Sequence, residues 1–271
     1  MRIRHNISKR EEVEEDEEHH TGVPFSVGRR RSSSSKAAMQ KARLIKVFHF
    51  SAFFWYAYCN HFCDAYLDVP NRWLSHRIFG RHKYLTHWNL SIQTATFLLC
   101  CVVDVLPPEY TAAVARVRDH LTLSISIPLS LFVTIFFWTL YHIDREFVFP
   151  DIVALYYPAW LNHVLHTATL PIIIADIALY RHEQPSRATA FLSLAIFAVC
   201  YITWIEYLGL VHNVWVYPLF EMISANAFVL LVAFSSGIVF IFYMCAESIN
   251  GIFWKNSVPK SGDFRSRSVN K

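Results

Sequence analysis

Two histidines three residues apart lie near the start of a long apolar stretch, in the sequence PAWLNHVLHT at 158–167. Thr86 lies at the start of another apolar stretch. Polar groups inside a membrane are costly, so they commonly mark function or paired structure. A threonine hydroxyl becomes a nucleophile when a base takes its proton, and a neutral histidine is the usual base. Thr86 with His163 or His166 could therefore form a nucleophile–base pair, and the other histidine or Asn162 could hold the active one in place.

The segments that must position these residues are predicted to be membrane-spanning helices. The chain of 271 residues is 54% hydrophobic and 17% charged, which favours an integral membrane protein because soluble domains usually carry more charge. A spanning helix needs about 20 mostly apolar residues. We therefore predict an all-α membrane protein with six transmembrane helices in a bundle. The six apolar stretches are 44–66, 86–106, 121–142, 152–179, 189–211 and 224–249.

The order of these stretches places polar residues of different helices at one level of the membrane. The second and fourth predicted helices begin on the same side. With a rise of about 1.5 Å per residue, Thr86 lies roughly 9 Å below Gly80, and His166 lies roughly 12 Å below Pro158. The fifth helix ends on that side, so Glu206 is expected in the same layer. We expect Thr86 and His166 to meet.

Charge patterning predicts the ends of the chain and its orientation. An acidic run followed by a basic, serine-rich run predicts a disordered cytosolic tail over 1–43, before a six-helix domain over 44–254 and a cytosolic tail over 255–271. Basic residues flank the helices mainly on the side of both termini, which predicts that both termini are cytosolic. The first apolar stretch is expected to act as a signal anchor. We predict a multi-pass protein of an endomembrane or the plasma membrane, without nucleic-acid binding.

The cysteines and histidines do not indicate a metal site. Cys59 and Cys63 have no matching second pair, which argues against zinc. His163 and His166 could be two metal ligands, but no third acidic or thiol residue stands at a recognisable spacing. We therefore predict neither a metal nor another cofactor. All six cysteines lie in apolar stretches and are expected to be small buried residues: Cys59, Cys63, Cys100, Cys101, Cys200 and Cys245.

Five short motifs identify a family resemblance. They are KYLTHWNLSIQ (83–93), FFWTLYHIDREFVFP (136–150), PAWLNHVLHT (158–167), QPSR (184–187) and WVYPLFE (215–221). In this order they resemble the androgen-induced and androgen-dependent TFPI-regulating family of multipass membrane proteins, over about residues 44–255. Two residues depart from the family pattern: Asn213 stands where relatives have glycine, and Gln184 where tyrosine is common.

The resemblance implies a six-span membrane hydrolase that cleaves fatty acid esters of hydroxy fatty acids without a metal. It implies that Thr86 is the nucleophile and that His166 is the catalytic histidine. In this hypothesis His166 draws the proton from Thr86, and the attack on the ester gives an acyl-threonine that water then hydrolyses. Base assistance contributes roughly 10²–10⁴-fold, so an oxyanion stabiliser is also required. The candidates for support are Asn162, His163, Asn89 and Trp88.

The expected partners are a lipid ester and the membrane lipids. An acyl chain could enter from the bilayer through a tunnel lined by aromatic residues, namely Tyr84, Trp88, Trp160 and Phe97. Two other functions remain open at this point. A non-catalytic ligand-binding, transport or signalling protein would use the same polar layer to bind a ligand. A haem-binding redox protein would use intramembrane histidines as axial ligands, and the candidates are His49, His61, His87, His142, His163 and His166.

Overall fold

The computed structural model describes residues 27–67 and 80–254, and within these residues the chain forms helices and no strand. A short 3₁₀ helix, Gly80–Lys83, precedes the second long helix. Residues 1–26 of the predicted N-terminal tail and the predicted C-terminal tail 255–271 lie outside the described residues. The helices are α1 (Val27–Tyr66), α2 (Leu85–Val105), α3 (Pro108–Leu121), α4 (Ile127–Ile143), α5 (Asp151–Ala154), α6 (Ala159–His163), α7 (Thr169–Leu179), α8 (Arg187–His212), α9 (Pro218–Met222) and α10 (Ala225–Trp254).

Five of these helical segments are long and apolar enough to cross a membrane. They are Leu85–Val105, Pro108–Ile143, Ala159–Leu179, Arg187–His212 and Ala225–Trp254. The sixth predicted span, in α1, is not among them, because polar residues interrupt its apolar stretch. The all-α, multi-pass membrane class is confirmed, whereas the predicted number of six spanning helices is not.

Two of the spanning segments contain a π-helical turn, and a proline explains each one. Thr122–Ser126 joins α3 to α4, and Val164–Ala168 joins α6 to α7. Proline lacks the N–H that would bond the carbonyl four residues earlier and its ring crowds that carbonyl. For Pro128 and Pro171 that earlier carbonyl falls inside the π turn. Such turns often occur at functional sites, and the second one contains His166.

The apolar core lies between the helices of the membrane domain. Tyr56 of α1, Phe97 of α2, Leu161 of α6 and Ile173 of α7 are buried in one cluster. Large apolar side chains on the outer faces of the helices are exposed instead. Extended apolar surface of this kind fits contact with lipid, and examples are Leu192, Leu210, Leu230 and Ile241.

A buried polar seam joins α2 to α4 within this core. Gln93 Nε2 donates to Ser130 Oγ at 2.7 Å and to the carbonyl oxygen of Ser126 at 3.1 Å. Ser130 Oγ donates to Asn89 Oδ1 at 3.2 Å, and the hydroxyls of Thr96 and Ser126 are 2.7 Å apart. Each hydrogen bond between membrane helices stabilises their association by roughly 0.6 kcal/mol. Together the bonds of this seam favour one register of α2 against α4.

A buried network of charged side chains ties together the opposite ends of the same helices. Its members, in order of contact, are Asp104, His49, Asp176, His182, Asp119 and Arg118. Asp176 is central, because its two oxygens lie 2.8 Å from a ring nitrogen of His49 and 2.8 Å from one of His182. Burial by itself lowers the pKa of His182, but hydrogen bonds to Asp119 and Asp176 raise that pKa above its usual value. We call these six residues the charged network.

The two loop residues that depart from the family pattern have clear structural roles. Asn213 follows the end of α8 in the left-handed conformation, with φ of 54°. This conformation favours glycine, and asparagine is the residue that tolerates it next best. Gln184 Nε2 donates to the Tyr243 hydroxyl at 3.2 Å, and its Oε1 accepts from Asn250 Nδ2 at 3.2 Å. Gln184 thereby fixes the loop before α8 to α10.

Candidate functional site

An apolar cavity of about 280 Å³ contains both residues that the sequence singles out. Thr86 at the start of α2 and His166 in the π turn both line it. The walls are mainly aliphatic and aromatic side chains of α4, α8 and α10. No hydrogen bond joins Thr86 directly to His166, although both residues line the same space. A few polar side chains also line the cavity: Tyr84, His87, Tyr157, Tyr201, Tyr217, Ser235 and Ser236.

Thr86 lies in the first turn of α2, and its hydroxyl has no hydrogen bond to any residue that the structure describes. Other hydroxyls of the same helix differ: Thr94 and Thr96 each donate to the carbonyl four residues earlier, at 2.9 Å. The equivalent carbonyl for Thr86 belongs to His82, and it accepts instead from two indole N–H groups, at 2.8 and 3.1 Å. The Thr86 hydroxyl is therefore available to another group.

The start of α2 also supplies positive electrostatic potential. The first N–H groups of a helix have no partner within the helix, and the helix dipole adds partial positive charge there. The backbone N–H of Leu85 donates to the Tyr217 hydroxyl at 3.3 Å. The N–H of Thr86 has no partner among the described residues. It can therefore donate to an anion that forms beside the Thr86 side chain.

One ring nitrogen of His166 is hydrogen-bonded, and the other has no hydrogen bond to any described residue. Its Nδ1 lies 3.0 Å from the backbone oxygen of Asn162 and 2.9 Å from Asn162 Oδ1. Both are acceptors, so Nδ1 carries the proton and Nε2 is the basic nitrogen. Phe137 stacks on the imidazole with ring centroids 3.4 Å apart, which fixes the ring plane. Within the described part of the chain, Nε2 has no hydrogen-bond partner.

His87 is a cavity residue that the sequence named only as a possible haem ligand and not as part of the esterase site. Its Nε2 lies 3.0 Å from the Tyr157 hydroxyl, and its buried Nδ1 has no hydrogen-bond partner in residues 27–67 and 80–254. A tyrosine that donates to Nε2 leaves the proton on Nδ1. The sequence signals for a place in the esterase site were its intramembrane position and its place directly after Thr86.

None of the four proposed supporting residues lines the cavity, and of them Asn162 alone contacts His166. His163 is exposed and stacks on Trp138, because the π turn changes the angle between its side chain and that of His166. Asn89 belongs to the buried polar seam and donates to Thr169 Oγ1 at 3.3 Å. Trp88 points away from the cavity, with its indole N–H on the His82 carbonyl. Glu206 is exposed and does not line the cavity.

The residues that line the observed cavity also differ from those expected to line an aromatic tunnel. Of the four residues proposed for it, Tyr84 alone lines the cavity. Phe97 is fully buried in the core, and Trp160 packs against Trp55 and Phe62. Aliphatic residues and phenylalanines of α4, α8 and α10 form most of the wall instead.

Lys83 lies three residues before Thr86, outside the spanning segments, in an unfavourable environment. Its side chain is fully buried, and Nζ has no hydrogen-bond partner among the residues that the structure describes. The Tyr84 ring centroid is 5.9 Å from Nζ. Burial lowers the pKa of Lys83 to about 8, because the charged form loses its hydration.

Comparison with known proteins gives one consistent result. A family model described as FAR-17a/AIG1-like protein matches residues 44–251. The androgen-dependent TFPI-regulating protein of Homo sapiens is 32% identical over 216 residues, covering 77% of this chain and 92% of that protein. The mouse (Mus musculus) protein of the same name is 31% identical over 212 residues, covering 77% and 92%. The androgen-induced gene 1 protein of Homo sapiens is 28% identical over 211 residues, covering 73% and 87%. No solved structure matches this chain.

Proposed function

This chain belongs to the FAR-17a/AIG1-like family, and from that membership we propose that it is an integral membrane esterase. Its substrates are fatty acid esters of hydroxy fatty acids, with Thr86 as nucleophile and His166 as general base. The observation that carries this proposal is the cavity, which Thr86 and the His166 imidazole both line. In that cavity an uncommitted hydroxyl and an uncommitted basic nitrogen face one apolar space.

The first half of the reaction forms an acyl-enzyme. His166 Nε2 accepts the proton of the Thr86 hydroxyl as the oxygen attacks the ester carbonyl carbon. The carbonyl oxygen becomes an oxyanion in the tetrahedral intermediate. The intermediate then collapses with cleavage of the ester C–O bond, and the departing alkoxide takes the proton from His166. The products are acyl-threonine and the free hydroxy fatty acid.

The second half restores the enzyme. His166 Nε2 takes a proton from water as the water oxygen attacks the acyl-threonine carbonyl. Collapse of the second intermediate returns the proton to Thr86 and releases the other fatty acid. Asn162 supports both halves by holding the Nδ1 proton, so that Nε2 remains the nitrogen that exchanges protons.

The start of α2 offers the oxyanion stabilisation that the reaction needs. The Thr86 N–H lies beside the attacking oxygen, and oxyanion holes commonly use the N–H of the nucleophile itself. His87 Nδ1 is a second candidate donor, since His87 lines the same cavity and its Nδ1 has no hydrogen-bond partner within the described part of the chain. Loss of one such donor costs about 10²–10³-fold in kcat.

The walls of the cavity favour an acyl substrate. They are largely apolar, and pockets with a few converging polar groups bind ligands through shape and apolar contact. The cavity extends along α8 and α10 through Leu194, Phe197, Val232 and Val239. Acyl chains fit such a lining, whereas a sugar substrate would leave its hydroxyl groups unpaired there.

Labelling with a fluorophosphonate probe tests the proposal directly. Purified wild-type protein in detergent should be labelled and should release fatty acid from a branched ester of a hydroxy fatty acid. Thr86→Ala and His166→Ala should abolish both signals. The matched controls are Ser91→Ala, which removes a hydroxyl bonded to its own helix at 2.9 Å, and His163→Ala, which removes a histidine outside the cavity.

The outcomes separate catalysis from simple lipid binding. Full labelling of Thr86→Ala would refute the nucleophile assignment. Binding of the ester without turnover in the wild type would instead favour the ligand-binding alternative, because the same cavity would hold a lipid without reaction. A Soret band in the purified wild type would favour the haem alternative.

A further inference from the structure

Three metal-ligating side chains meet inside the bundle, away from the cavity. His49 of α1, Cys100 of α2 and Asp176 of α7 are fully or almost fully buried. One ligand atom from each residue lies within 4.8 Å of the others. They come from three different helices, so the sequence spacing gave no sign of them. Two of these residues belong to the charged network, and Cys100 lies against it.

The surrounding residues arrange the ligands as in known metal sites. Histidine ligands usually donate their other ring N–H to a carboxylate, which fixes the ring and its tautomer. His49 Nδ1 lies 2.7 Å from Asp104 Oδ2, while its Nε2 faces Asp176. The second oxygen of Asp176 is held by His182 at 2.8 Å. Each of these two ligands is therefore oriented by a partner outside the ligand set.

The donor set suits Zn²⁺, and the ligand atoms lie near the separations that a bound ion requires. Zinc accepts thiolate, imidazole and carboxylate ligands, and bonds of about 2.0–2.3 Å in a tetrahedral arrangement place ligand atoms roughly 3.3–3.6 Å apart. His49 Nε2 and Asp176 Oδ1 are 2.8 Å apart. They would separate by about 0.5 Å to admit the ion, a shift that small side-chain rotations can supply.

The charges of the buried groups also fit a divalent cation. The carboxylates of Asp104, Asp119 and Asp176 balance Arg118 and two imidazolium ions when both histidines are protonated. Binding of Zn²⁺ displaces one proton from His49 Nε2 and one from the Cys100 thiol. Two protons leave and two positive charges enter, so the net charge of the buried groups stays the same. Neutral buried groups avoid the large cost of an uncompensated charge.

We propose that His49, Cys100 and Asp176 form a zinc site that joins α1, α2 and α7. The site replaces the expectation, drawn from sequence spacing, that no metal is bound. It lies apart from the proposed catalytic residues, because Cys100 follows Thr86 by fourteen positions in α2, which is roughly 21 Å along the helix. With three protein ligands, the fourth position of the tetrahedron is left for water.

Substitution of Cys100 gives a sharp test, because the hydrogen bonds of the charged network do not use its thiol. The full chain is purified in detergent, and zinc is measured by elemental mass spectrometry. Wild type should hold about one zinc per chain, and Cys100→Ala should hold less than about a tenth of that. The matched control Cys101→Ala removes the neighbouring buried thiol, which is outside the ligand set, and it should retain zinc.

Two further measurements test metal binding even if the metal is lost during purification. Addition of Zn²⁺ to chelator-treated wild type should raise its apparent melting temperature, and the same addition to Cys100→Ala should not. Co²⁺ should give a thiolate-to-metal charge-transfer band in wild type and in Cys101→Ala. The proposal is overturned if wild type neither contains zinc nor responds to Zn²⁺ or Co²⁺, or if Cys100→Ala binds the metal as wild type does.

Discussion

The two ends of α2 use polar residues in opposite ways. At its start, the Thr86 hydroxyl, His166 Nε2 and His87 Nδ1 lack hydrogen-bond partners among the described residues, and all three side chains line a cavity. At its other end, the ring nitrogens of His49 and both oxygens of Asp176 are paired in a packed interior. Polar groups left open beside a cavity can act on a ligand, whereas fully paired ones contribute to stability and position.

This comparison separates activity from stability. Substitutions at the cavity end should reduce hydrolysis and leave the apparent melting temperature almost unchanged. Substitutions in the charged network should lower the melting temperature and leave the turnover of the remaining folded protein intact. The following experiments test whether the two ends are in fact independent.

The largest effect is expected for Thr86→Val, which keeps the shape of the side chain and removes the hydroxyl. Hydrolysis of the ester should fall by more than about 10³-fold, while the apparent melting temperature should change by less than about 2 °C. Thr96→Val is the matched control, because its hydroxyl bonds the Ser126 hydroxyl at 2.7 Å and its loss should affect stability more than activity. Retention of hydrolysis in Thr86→Val would contradict the inference that the start of α2 serves activity and its other end serves stability.

Asp176→Asn should have the largest effect on stability. The substitution removes the negative charge between His49 and His182, and a broken buried ion pair costs about 3–5 kcal/mol. The apparent melting temperature should fall by about 10 °C, as followed by thermal unfolding in detergent. Activity per folded molecule should be retained. A melting temperature equal to that of wild type would show that the charged network does not stabilise the fold.

Asn162→Ala should have an intermediate effect on catalysis. The side-chain acceptor at 2.9 Å from His166 Nδ1 is lost, but the backbone oxygen of residue 162 at 3.0 Å remains. We expect kcat to fall by about tenfold with little change in KM, because the imidazole is less well held. Steady-state kinetics with the ester substrate measure both constants. A loss as large as that of His166→Ala would mean that the backbone oxygen does not orient the ring.

The smallest effect is expected for Lys83→Met, at the cavity end but outside the cavity. Burial lowers the pKa of Lys83 to about 8, whereas an unfolded lysine titrates near 10.4. Burial of the charged amine therefore lowers the free energy of unfolding by its full amount below about pH 8. This destabilisation disappears as the pH rises to about 10.4. Lys83→Met should melt about 2–4 °C higher than wild type at pH 7.

A pH series checks the sign of the Lys83 effect. The difference between the melting curves of Lys83→Met and wild type should shrink between pH 8 and pH 10. A difference that grows over that range would mean that the fold stabilises the charged amine, contrary to its burial without a hydrogen bond to any described residue. Hydrolysis by the variant should be measured in parallel, since it should be unaffected.

The sequence predicted the helical segments far better than the orientation of individual side chains. Apolar stretches defined the membrane class, because length and composition suffice for that inference. Spacing also placed Thr86 and His166 at a similar depth, since the helix rise is constant. Spacing did not predict that the side chains of His163, Asn89 and Trp88 lie outside the cavity. The direction of a side chain depends on helix rotation, on the π turn and on neighbours distant in the sequence.

The amino-acid sequence by itself determined the all-α membrane class and the family, and it singled out Thr86 and His166 as the residues to examine. The tertiary structure alone decided that His87 joins them at one cavity, and that His49, Cys100 and Asp176 meet at the other end of the bundle. The reason is physical. Apolar length and helix rise are local properties, whereas the meeting of side chains from α1, α2 and α7 is fixed by how the helices pack against one another.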